Sequence, residues 1–168
     1  DPTGGKVIID GHDTHTMTAQ EKMNFRLSKF GFVFQDYALL PELTAIENVA
    51  LPLLMQGLGK AESYRIAGRE LERAGLGHRI DSTPSRLSGG EQQRVAIVRA
   101  VAHRPKVLFA DEPTANLDND SSRRIMEIFT ELHRAGQTLI MVTHEEQYAK
   151  LAQRTVHLDD GRIVSTTG

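Results

Sequence analysis

Two acidic side chains that follow an apolar segment are the residues of this sequence best suited to chemistry. Asp111 and Glu112 come directly after the run 107–110, whose composition is typical of a strand buried in a parallel sheet. Ligands of open α/β sheets bind beyond the carboxyl ends of the strands, where one acid can hold Mg²⁺ and a second can polarise a water. A solvated turn uses the same residue types, so the pair alone leaves both interpretations open.

A second candidate site lies at the predicted start of a helix. Ser88 and Glu91 have the spacing of a capping box, in which each side chain satisfies a backbone N–H group of the first turn. Capping does not explain Gly89 and Gly90, because glycine lowers helix propensity. A helix start without side chains lets a phosphate reach free N–H groups, so the glycines favour an anion site.

The composition limits the class of protein in which these two candidate sites occur. The chain has 168 residues, of which 39% are hydrophobic and 25% charged, as expected for one globular domain. Its net charge of −2 gives no reason to expect nucleic acid as a partner, and it contains no cysteine for disulfide or thiol chemistry. No stretch approaches the roughly 20 apolar residues that span a bilayer.

Strands and helices alternate along the chain, with a helical stretch between the second and third predicted strands. Apolar patterns and turn signals predict strands over 6–11, 30–34, 107–110, 138–142, 155–158 and 162–165. Helices are predicted over 18–28, from Thr44, over 60–74, from Ser88 and over 119–135. We expect Pro52 to end or kink the helix that begins at Thr44. Parallel strands would then deliver Gln35, Glu112 and His144 to the same edge of a sheet.

Several motifs, taken in order, resemble those of ABC-transporter ATPases. L-S-G-G-E-Q-Q-R from Leu87 to Arg94 is similar to the signature motif, and Asp111 with Glu112 to the Walker B acids. A-N-L-D from Ala115 resembles the D-loop, and F-V-F-Q-D-Y resembles the Q-loop. The resemblance covers nearly the whole chain and is strongest to the ATPases of the lipoprotein-release and macrolide-exporter group.

The resemblance implies a role for each of these residues in hydrolysing ATP with Mg²⁺. The implied catalytic residues are Glu112 as general base, His144 as the histidine that contacts the γ-phosphate, and Gln35. The implied metal-binding residues are Asp111 and Gln35. The residues implied to bind nucleotide across a dimer interface or to link its two sites are Ser88, Gly89, Gly90, Glu91 and Asp118.

The implied fold is α/β, a RecA-like P-loop NTPase core with a mainly parallel sheet and an inserted α-helical subdomain. Residues 1–36 would belong to the core, 37–103 to the helical subdomain with the signature motif, and 104–168 to the core again. The first strands and the phosphate loop of such a core would be missing, roughly 40 to 50 residues by the family pattern.

The phosphate-binding motif G-x-x-x-x-G-K-[ST] does not occur in the chain. Gly5-Lys6 is followed by Val7 and Gly59-Lys60 by Ala61, so neither pair supplies the hydroxyl that would bind Mg²⁺. We expect an amino-terminally truncated ATPase that alone neither holds ATP tightly nor hydrolyses it. Missing sheet strands would also expose apolar surface and make the chain marginally stable.

The resemblance further implies two protein partners, a transmembrane permease subunit and a second nucleotide-binding domain in a homodimer. The chain would be cytoplasmic and peripheral on the inner face of the plasma membrane through the permease. Three alternatives stay open: a non-catalytic remnant that pairs with an intact subunit, a soluble ABC ATPase outside transport, and an unrelated α/β fold. The short spacing between Gln35 and Ser88 disfavours the second alternative, because soluble members usually carry a second cassette or a long insertion.

Overall fold

The structure, a computed structural model, describes residues 3–168 and consists of short sheets and packed helices. The strands are β1 (Ile8–Ile9), β2 (His12–Asp13), β3 (Phe30–Val33), β4 (Val107–Asp111), β5 (Thr138–Val142), β6 (Thr155–Asp159) and β7 (Arg162–Thr167). The α-helices are α1 (Ala19–Lys29), α2 (Ala45–Met55), α3 (Lys60–Arg73), α4 (Gly89–Val101), α5 (Asn119–Arg134) and α6 (Glu146–Ala149).

A three-stranded parallel sheet in the order β3-β4-β5 forms the centre of the α/β part. Phe32 pairs with Phe109, which in turn pairs with Ile140, and Asp111 pairs with Val142. All three strands therefore end at the same edge, and the residues that follow them meet there. The expected parallel α/β core is confirmed.

One face of this sheet is buried against α4 and α5. The buried side chains shared by the sheet and these helices are Val33, Leu108, Ala110, Ile97, Ala100, Ile125, Met126 and Phe129. Gly31 permits the closest approach, because a Cβ at this position would lie 2.2 Å from the backbone oxygen of Ala100. The signature-type helix α4 is thus fixed directly on β3.

The helices between β3 and β4 share a separate apolar core. Its buried members come from α2, α3, α4 and the adjoining loops: Ala45, Val49, Ala50, Leu53, Ala67, Leu71, Leu76, Leu87, Val95, Val98 and Ala102. Helix α4 contributes to both cores, so it joins the helical stretch to the sheet. The domain boundaries 1–36, 37–103 and 104–168 remain predictions, and the first two residues lie outside the described part.

The opposite face of the parallel sheet is apolar and open to solvent. Phe32 and Phe34 are each 39% exposed, Ile140 is 49% exposed and Val142 is 59% exposed. The rings of Phe32 and Phe109 stack with centroids 5.2 Å apart on this face. The expected exposure of apolar surface is confirmed here.

Two local predictions need correction. Helix α2 continues through Pro52 to Met55, so Pro52 does not end the helix, and the kink named as the other outcome stays a prediction. The lost N–H donor of a proline removes one intrahelical bond, and the packing of Leu53 in the core compensates for it. The predicted strand 6–11 is confined to Ile8 and Ile9, and the chain then turns back into β2.

The carboxyl-terminal residues form an antiparallel hairpin of β6 and β7, as predicted, although both strands extend beyond the predicted ends. Among residues 3–168, no helix combines the length and the apolar character that crossing a bilayer requires.

Candidate functional site

The centre of the candidate site is a direct contact between Glu112 and His144. Oε1 of Glu112 lies 2.8 Å from the imidazole Nδ1 of His144 and also accepts a 3.0 Å hydrogen bond from its backbone N–H. The two residues follow β4 and β5, which are neighbours in the sheet. The predicted convergence of the acid and the histidine at one sheet edge is confirmed, whereas their catalytic roles stay predictions.

The backbone holds Glu112 in an uncommon conformation. Its φ of 44° lies in the left-handed region, which costs a non-glycine residue roughly 1–3 kcal/mol and is concentrated at functional sites. Its N–H donates to the carbonyl of Val142 at 2.9 Å, so the strand pairing continues by one bond. This conformation turns the carboxylate from the strand direction toward the loop that follows β5.

The second carboxylate oxygen of Glu112 has no protein partner. Oε2 is buried and forms no hydrogen bond with any group of residues 3–168. A buried acceptor without a partner is costly, so this oxygen gains a hydrogen bond when a donor reaches it. Because it has no solvent contact in this structure, a water reaches it only when the surrounding groups move.

The Glu112 carboxylate also changes the titration of His144. The hydrogen bond and the negative charge of Glu112 raise the pKa of the His144 imidazole above its ordinary value, and the Glu145 charge adds a smaller effect. The His144 side chain is 74% exposed while that of Glu112 is 19% exposed. Because Nδ1 faces Glu112, Nε2 remains available to a ligand from solvent.

Gln35, which follows β3, lies at the same sheet edge. Its backbone carbonyl accepts a 3.0 Å hydrogen bond from the side-chain amide of Asn116, in the loop between β4 and α5. The Gln35 side chain is exposed. The structure thus joins the loop after β3 to the D-loop-like segment through the Gln35 backbone.

The donor set at this edge suits Mg²⁺ bound largely by phosphate and water. Within the described residues, no group of three or more His, Cys, Asp or Glu side chains could hold a metal ion. Mg²⁺ commonly takes only one or two carboxylates and completes its shell with substrate phosphates and waters. Asp111 together with a phosphate would fit this pattern, and so would the Gln35 amide oxygen.

The start of α4 is a complete capping box, as predicted. Ser88 Oγ accepts a 3.3 Å hydrogen bond from Glu91 N–H, and Glu91 Oε2 accepts a 2.8 Å bond from Ser88 N–H. Arg79 also donates to Glu91 at 3.1 Å. The Ser88 N–H bond is the main cause of a lowered pKa at Glu91, so this carboxylate stays ionised as a cap.

Both glycines of this helix start have packing roles that the sequence did not reveal. A Cβ at Gly89 would lie 2.9 Å from the Tyr37 hydroxyl, and a Cβ at Gly90 would lie 2.9 Å from Ser121 Oγ. Close packing against these two side chains accounts for the absence of a Cβ at each position. Anion binding at this helix start therefore stays a prediction.

Asp118 caps α5, as predicted. Its carboxylate accepts bonds from Ser121 N–H at 2.9 Å and from Ser121 Oγ at 2.8 Å. These bonds, with the backbone one first, lower the pKa of Asp118. The same Ser121 packs against Gly90, so the starts of α4 and α5 lie side by side.

Two buried polar contacts at the site were missed from the sequence. Gln93 donates from Nε2 to the Pro113 carbonyl, and Thr114 donates from Oγ1 to Glu145 Oε1 at 2.9 Å. Gln93 lies inside the L-S-G-G-E-Q-Q-R motif, and Glu145 directly follows His144. Their position inside motif segments was the available signal.

A third missed residue is Arg99 of α4. Its guanidinium donates to the backbone carbonyls of Tyr37 and Ala38, and both of these residues have left-handed φ values, 63° and 45°. Arg99 therefore holds the segment after Gln35 on the signature-type helix. A single arginine on a helix gives no sequence signal for such a contact.

Comparison with known families agrees with this geometry. The sequence profile described as ABC transporter matches residues 1–115, more than half of the chain. The chain belongs to the ABC transporter family. ATP hydrolysis is a feature of the ATPases of this family, and the resemblance of the motifs to the lipoprotein-release and macrolide-exporter group is confirmed by the relatives.

Two of these relatives illustrate the match. The chain is 46% identical over 163 residues to the lipoprotein-releasing system ATP-binding protein LolD of Aquifex aeolicus, covering 97% of this chain and 73% of that protein. It is 45% identical over 165 residues to the macrolide export ATP-binding/permease protein MacB of Aggregatibacter actinomycetemcomitans, covering 98% of this chain and 26% of that protein.

A solved structure of an ABC cassette has the same fold. The dimeric post-hydrolysis state of the ATP-binding cassette MJ0796 bound to ADP and Pi superposes with a TM-score of 0.88 at 38% sequence identity. The match covers 99% of this chain and 74% of that chain. The RecA-like cassette fold predicted from the motifs is thus confirmed.

Proposed function

We propose that this chain contributes the catalytic and signature segments of an ATP-hydrolysing cassette that drives export or lipoprotein release by a membrane partner. The observation that carries the proposal is the hydrogen bond between Glu112 and His144 at the carboxyl ends of neighbouring parallel strands. This arrangement provides an acid beside a histidine with one free ring nitrogen. The names of the LolD and MacB relatives support the transport role.

Glu112 serves as the general base in this proposal. Its Oε2 accepts the proton of the attacking water once neighbouring groups move to admit that water, while Oε1 remains bonded to His144. The left-handed backbone and the bond to Val142 fix the carboxylate before the water arrives. Preorganisation of this kind avoids rearrangement during the reaction.

His144 stabilises the phosphate side of the reaction. Its raised pKa increases the fraction of imidazolium at neutral pH, and a positive ring next to a γ-phosphate oxygen stabilises developing negative charge. Asp111 and the Gln35 side chain are the proposed magnesium ligands. Mg²⁺ would neutralise charge on the phosphates during phosphoryl transfer.

The residues of the signature-type motif bind the nucleotide that is held by a second cassette. Ser88, Gly89, Gly90 and Glu91 form the start of α4, and Asp118 lies next to it at the start of α5. The dimeric MJ0796 cassette supports a homodimer for this chain as well. Asp118 would link the two nucleotide sites of that dimer.

A transmembrane permease subunit is the proposed membrane partner. A cavity of about 360 Å³ opens beside the Q-loop-like segment, between β3, α1, α2 and α4, and its lining includes Arg26, Phe34, Ala38 and Pro52. A short helix of the permease would fit this mixed apolar and basic groove. The chain would then be cytoplasmic and peripheral on the inner face of the plasma membrane.

Residues 1–168 contain no G-x-x-x-x-G-K-[ST] motif, which supplies the phosphate loop of an ATP-hydrolysing cassette. The chain alone is therefore expected to bind ATP weakly and not to hydrolyse it. The test is a chimaera in which the phosphate-loop segment of an intact ABC ATPase is joined to residue 3. ATP turnover by the chimaera but not by the 168-residue chain supports the proposal, and turnover by the isolated chain contradicts it.

A second candidate function is that of a non-catalytic partner that lends only its signature face. The intact capping box of α4, which forms without any contribution from a phosphate loop, supports this candidate. An intact cassette whose own signature serine is replaced would be co-expressed with this chain. Recovery of turnover that requires Ser88 identifies this role, and no recovery excludes it.

A further inference from the structure

The loops that follow β4 and β5 are joined at successive positions. The first link is the bond from Glu112 N–H to the Val142 carbonyl, and the second is the contact between Glu112 and His144. The third link is the 2.9 Å hydrogen bond from Thr114 Oγ1 to Glu145 Oε1. The outermost link therefore lies just beyond the Glu112–His144 contact on both loops.

Thr114 and Glu145 are themselves held firmly. Thr114 is only 3% exposed. Glu145 accepts a 2.9 Å bond from Gln147 on its other oxygen, and its N–H donates to Thr143 Oγ1 at 3.1 Å. A hydrogen bond to a charged acceptor from a buried hydroxyl is stronger than a neutral one. The Thr114–Glu145 pair can therefore fix the separation of the two loops.

The His144 ring depends on that separation. Its side chain is 74% exposed, and within residues 3–168 Glu112 is its hydrogen-bonding partner. An exposed imidazole with one tether loses its orientation when the two loops move apart by an ångström or so, because a hydrogen bond weakens steeply with distance.

We propose that Thr114 and Glu145 are positioning residues whose hydrogen bond keeps the His144 ring on Glu112 with Nδ1 facing the carboxylate. This inference rests on the proposed function, in which that pair acts on ATP. It predicts that the Thr114 hydroxyl, which donates its hydrogen bond to Glu145, controls the orientation and the protonated nitrogen of the His144 ring.

The test measures the ring nitrogens of His144 by ¹⁵N NMR in the 168-residue chain, with the signals assigned by a His144→Gln variant. At a pH where the ring is neutral, the unmodified chain is expected to keep the proton on Nδ1. Thr114→Val keeps the shape of the side chain and removes the hydroxyl. We expect this variant to lose the Nδ1–H preference, so that both ring nitrogens give averaged shifts.

Three further variants make the result specific. Thr114→Ser restores a hydroxyl and should restore the Nδ1–H signature, whereas Glu145→Ala should lose it to the same extent as Thr114→Val. The double variant, Thr114→Val with Glu145→Ala, should show no additional change, because each substitution removes the same Thr114–Glu145 hydrogen bond. Thr130→Val is the matched control, since the Thr130 hydroxyl donates to the Met126 carbonyl within its own helix, α5.

An unchanged His144 signature in folded Thr114→Val or in folded Glu145→Ala overturns the inference. The fold of each variant is checked by its amide spectrum, and Glu145→Ala removes the same hydrogen bond if the valine variant unfolds. The measurement needs no nucleotide. A chimaera without ATP turnover would refute the proposed function while leaving this readout intact, so the two failures are distinguishable.

Discussion

The His144 imidazole lies with Nδ1 2.8 Å from Glu112 Oε1, and its backbone N–H reaches the same oxygen at 3.0 Å. One carboxylate oxygen thus binds both the ring and the main chain of the residue that follows the neighbouring strand. The other oxygen, Oε2, is buried and accepts no hydrogen bond from any group of residues 3–168. One oxygen of Glu112 therefore holds His144, while the other keeps an unused acceptor.

The first prediction concerns Glu112→Gln in the phosphate-loop chimaera. The amide can still contact His144 but cannot take a proton from water, so ATP turnover should fall about 10²-fold to 10⁴-fold. Nucleotide binding should be retained, because Glu112 does not hold the phosphates in the proposed mechanism. Turnover is measured by phosphate release and binding by a fluorescent nucleotide.

Glu127→Gln is the matched control for this substitution. Glu127 is exposed on α5 and none of the hydrogen bonds or ion pairs of the site includes it. Its replacement should leave turnover within about twofold of the parent chimaera, since surface substitutions away from special contacts have small effects. Equal turnover of the parent and Glu112→Gln chimaeras would show that Glu112 is not the general base.

The second prediction concerns the titration of His144. Glu112 raises the pKa of the imidazole, first through the hydrogen bond and then through its charge. Glu112→Gln removes the charge, so the pKa of His144 should fall toward that of a free histidine. A titration followed by the ring ¹⁵N shifts gives both values.

The sign of the accompanying change in stability follows from the raised pKa. The folded chain binds the His144 proton more tightly than the unfolded chain does, so this contribution is complete below the unfolded-state pKa of histidine. It is lost as the pH rises from that value through the raised pKa of the folded chain. Glu112→Gln should reduce the change of the free energy of unfolding with pH in this window. An unchanged pH dependence would contradict the contact between Glu112 and His144.

The sequence predicted the elements of the site because their signals are local. The capping box of Ser88 and Glu91 forms as predicted, and the helices predicted from residues 18 and 44 also begin at capping boxes, Thr18–Glu21 and Thr44–Glu47. Strand ends in a parallel sheet share one edge, which placed Glu112 and His144 together. Residue type, spacing and topology were sufficient for these features.

The remaining features depend on contacts between distant segments. Arg99 binds the carbonyls of Tyr37 and Ala38, which lie some sixty residues earlier in the chain. The Tyr37 hydroxyl packs so closely on Gly89 that a Cβ there would lie 2.9 Å from it. Pro52 stays within α2 because its neighbours are buried in the helical core. Such outcomes are decided by tertiary packing, which overrides local preference.

The third prediction concerns the contact between β3 and α4 at Gly31. A Cβ there would lie 2.2 Å from the Ala100 carbonyl oxygen and 3.0 Å from a methyl group of Leu108. Since a backbone oxygen cannot move aside as a side chain can, α4 must shift away from the sheet. Gly31→Ala should lower the free energy of unfolding by at least about 1–3 kcal/mol.

Gly59→Ala is the control for Gly31→Ala. Gly59 precedes α3 with a φ of −61°, and an added Cβ there meets no atom within 4 Å. Because Gly59 is the N-cap of α3 and alanine is a poorer cap than glycine, its substitution should lower the free energy of unfolding by no more than about 1 kcal/mol. Urea denaturation followed by circular dichroism measures both variants, and equal midpoints would refute the tight contact at Gly31.

The fourth prediction concerns the open face of the parallel sheet. Ile140 and Val142 point to this face from β5 and are 49% and 59% exposed. Threonine keeps the β-branched shape that suits a strand. Ile140→Thr with Val142→Thr should therefore change the free energy of unfolding of the monomer by no more than about 1 kcal/mol in total.

The same double substitution should reduce self-association of the 168-residue chain. Exposed apolar patches and free strand edges promote association, and β5 is an edge strand of the described sheet. Light scattering should show smaller particles, and binding of a hydrophobic dye should fall.

Leu108→Thr, on the buried face, should instead cost about 2 kcal/mol or more, because a hydroxyl replaces a fully buried apolar side chain. Comparable losses of stability for the two faces would mean that the face bearing Ile140 and Val142 is covered in solution.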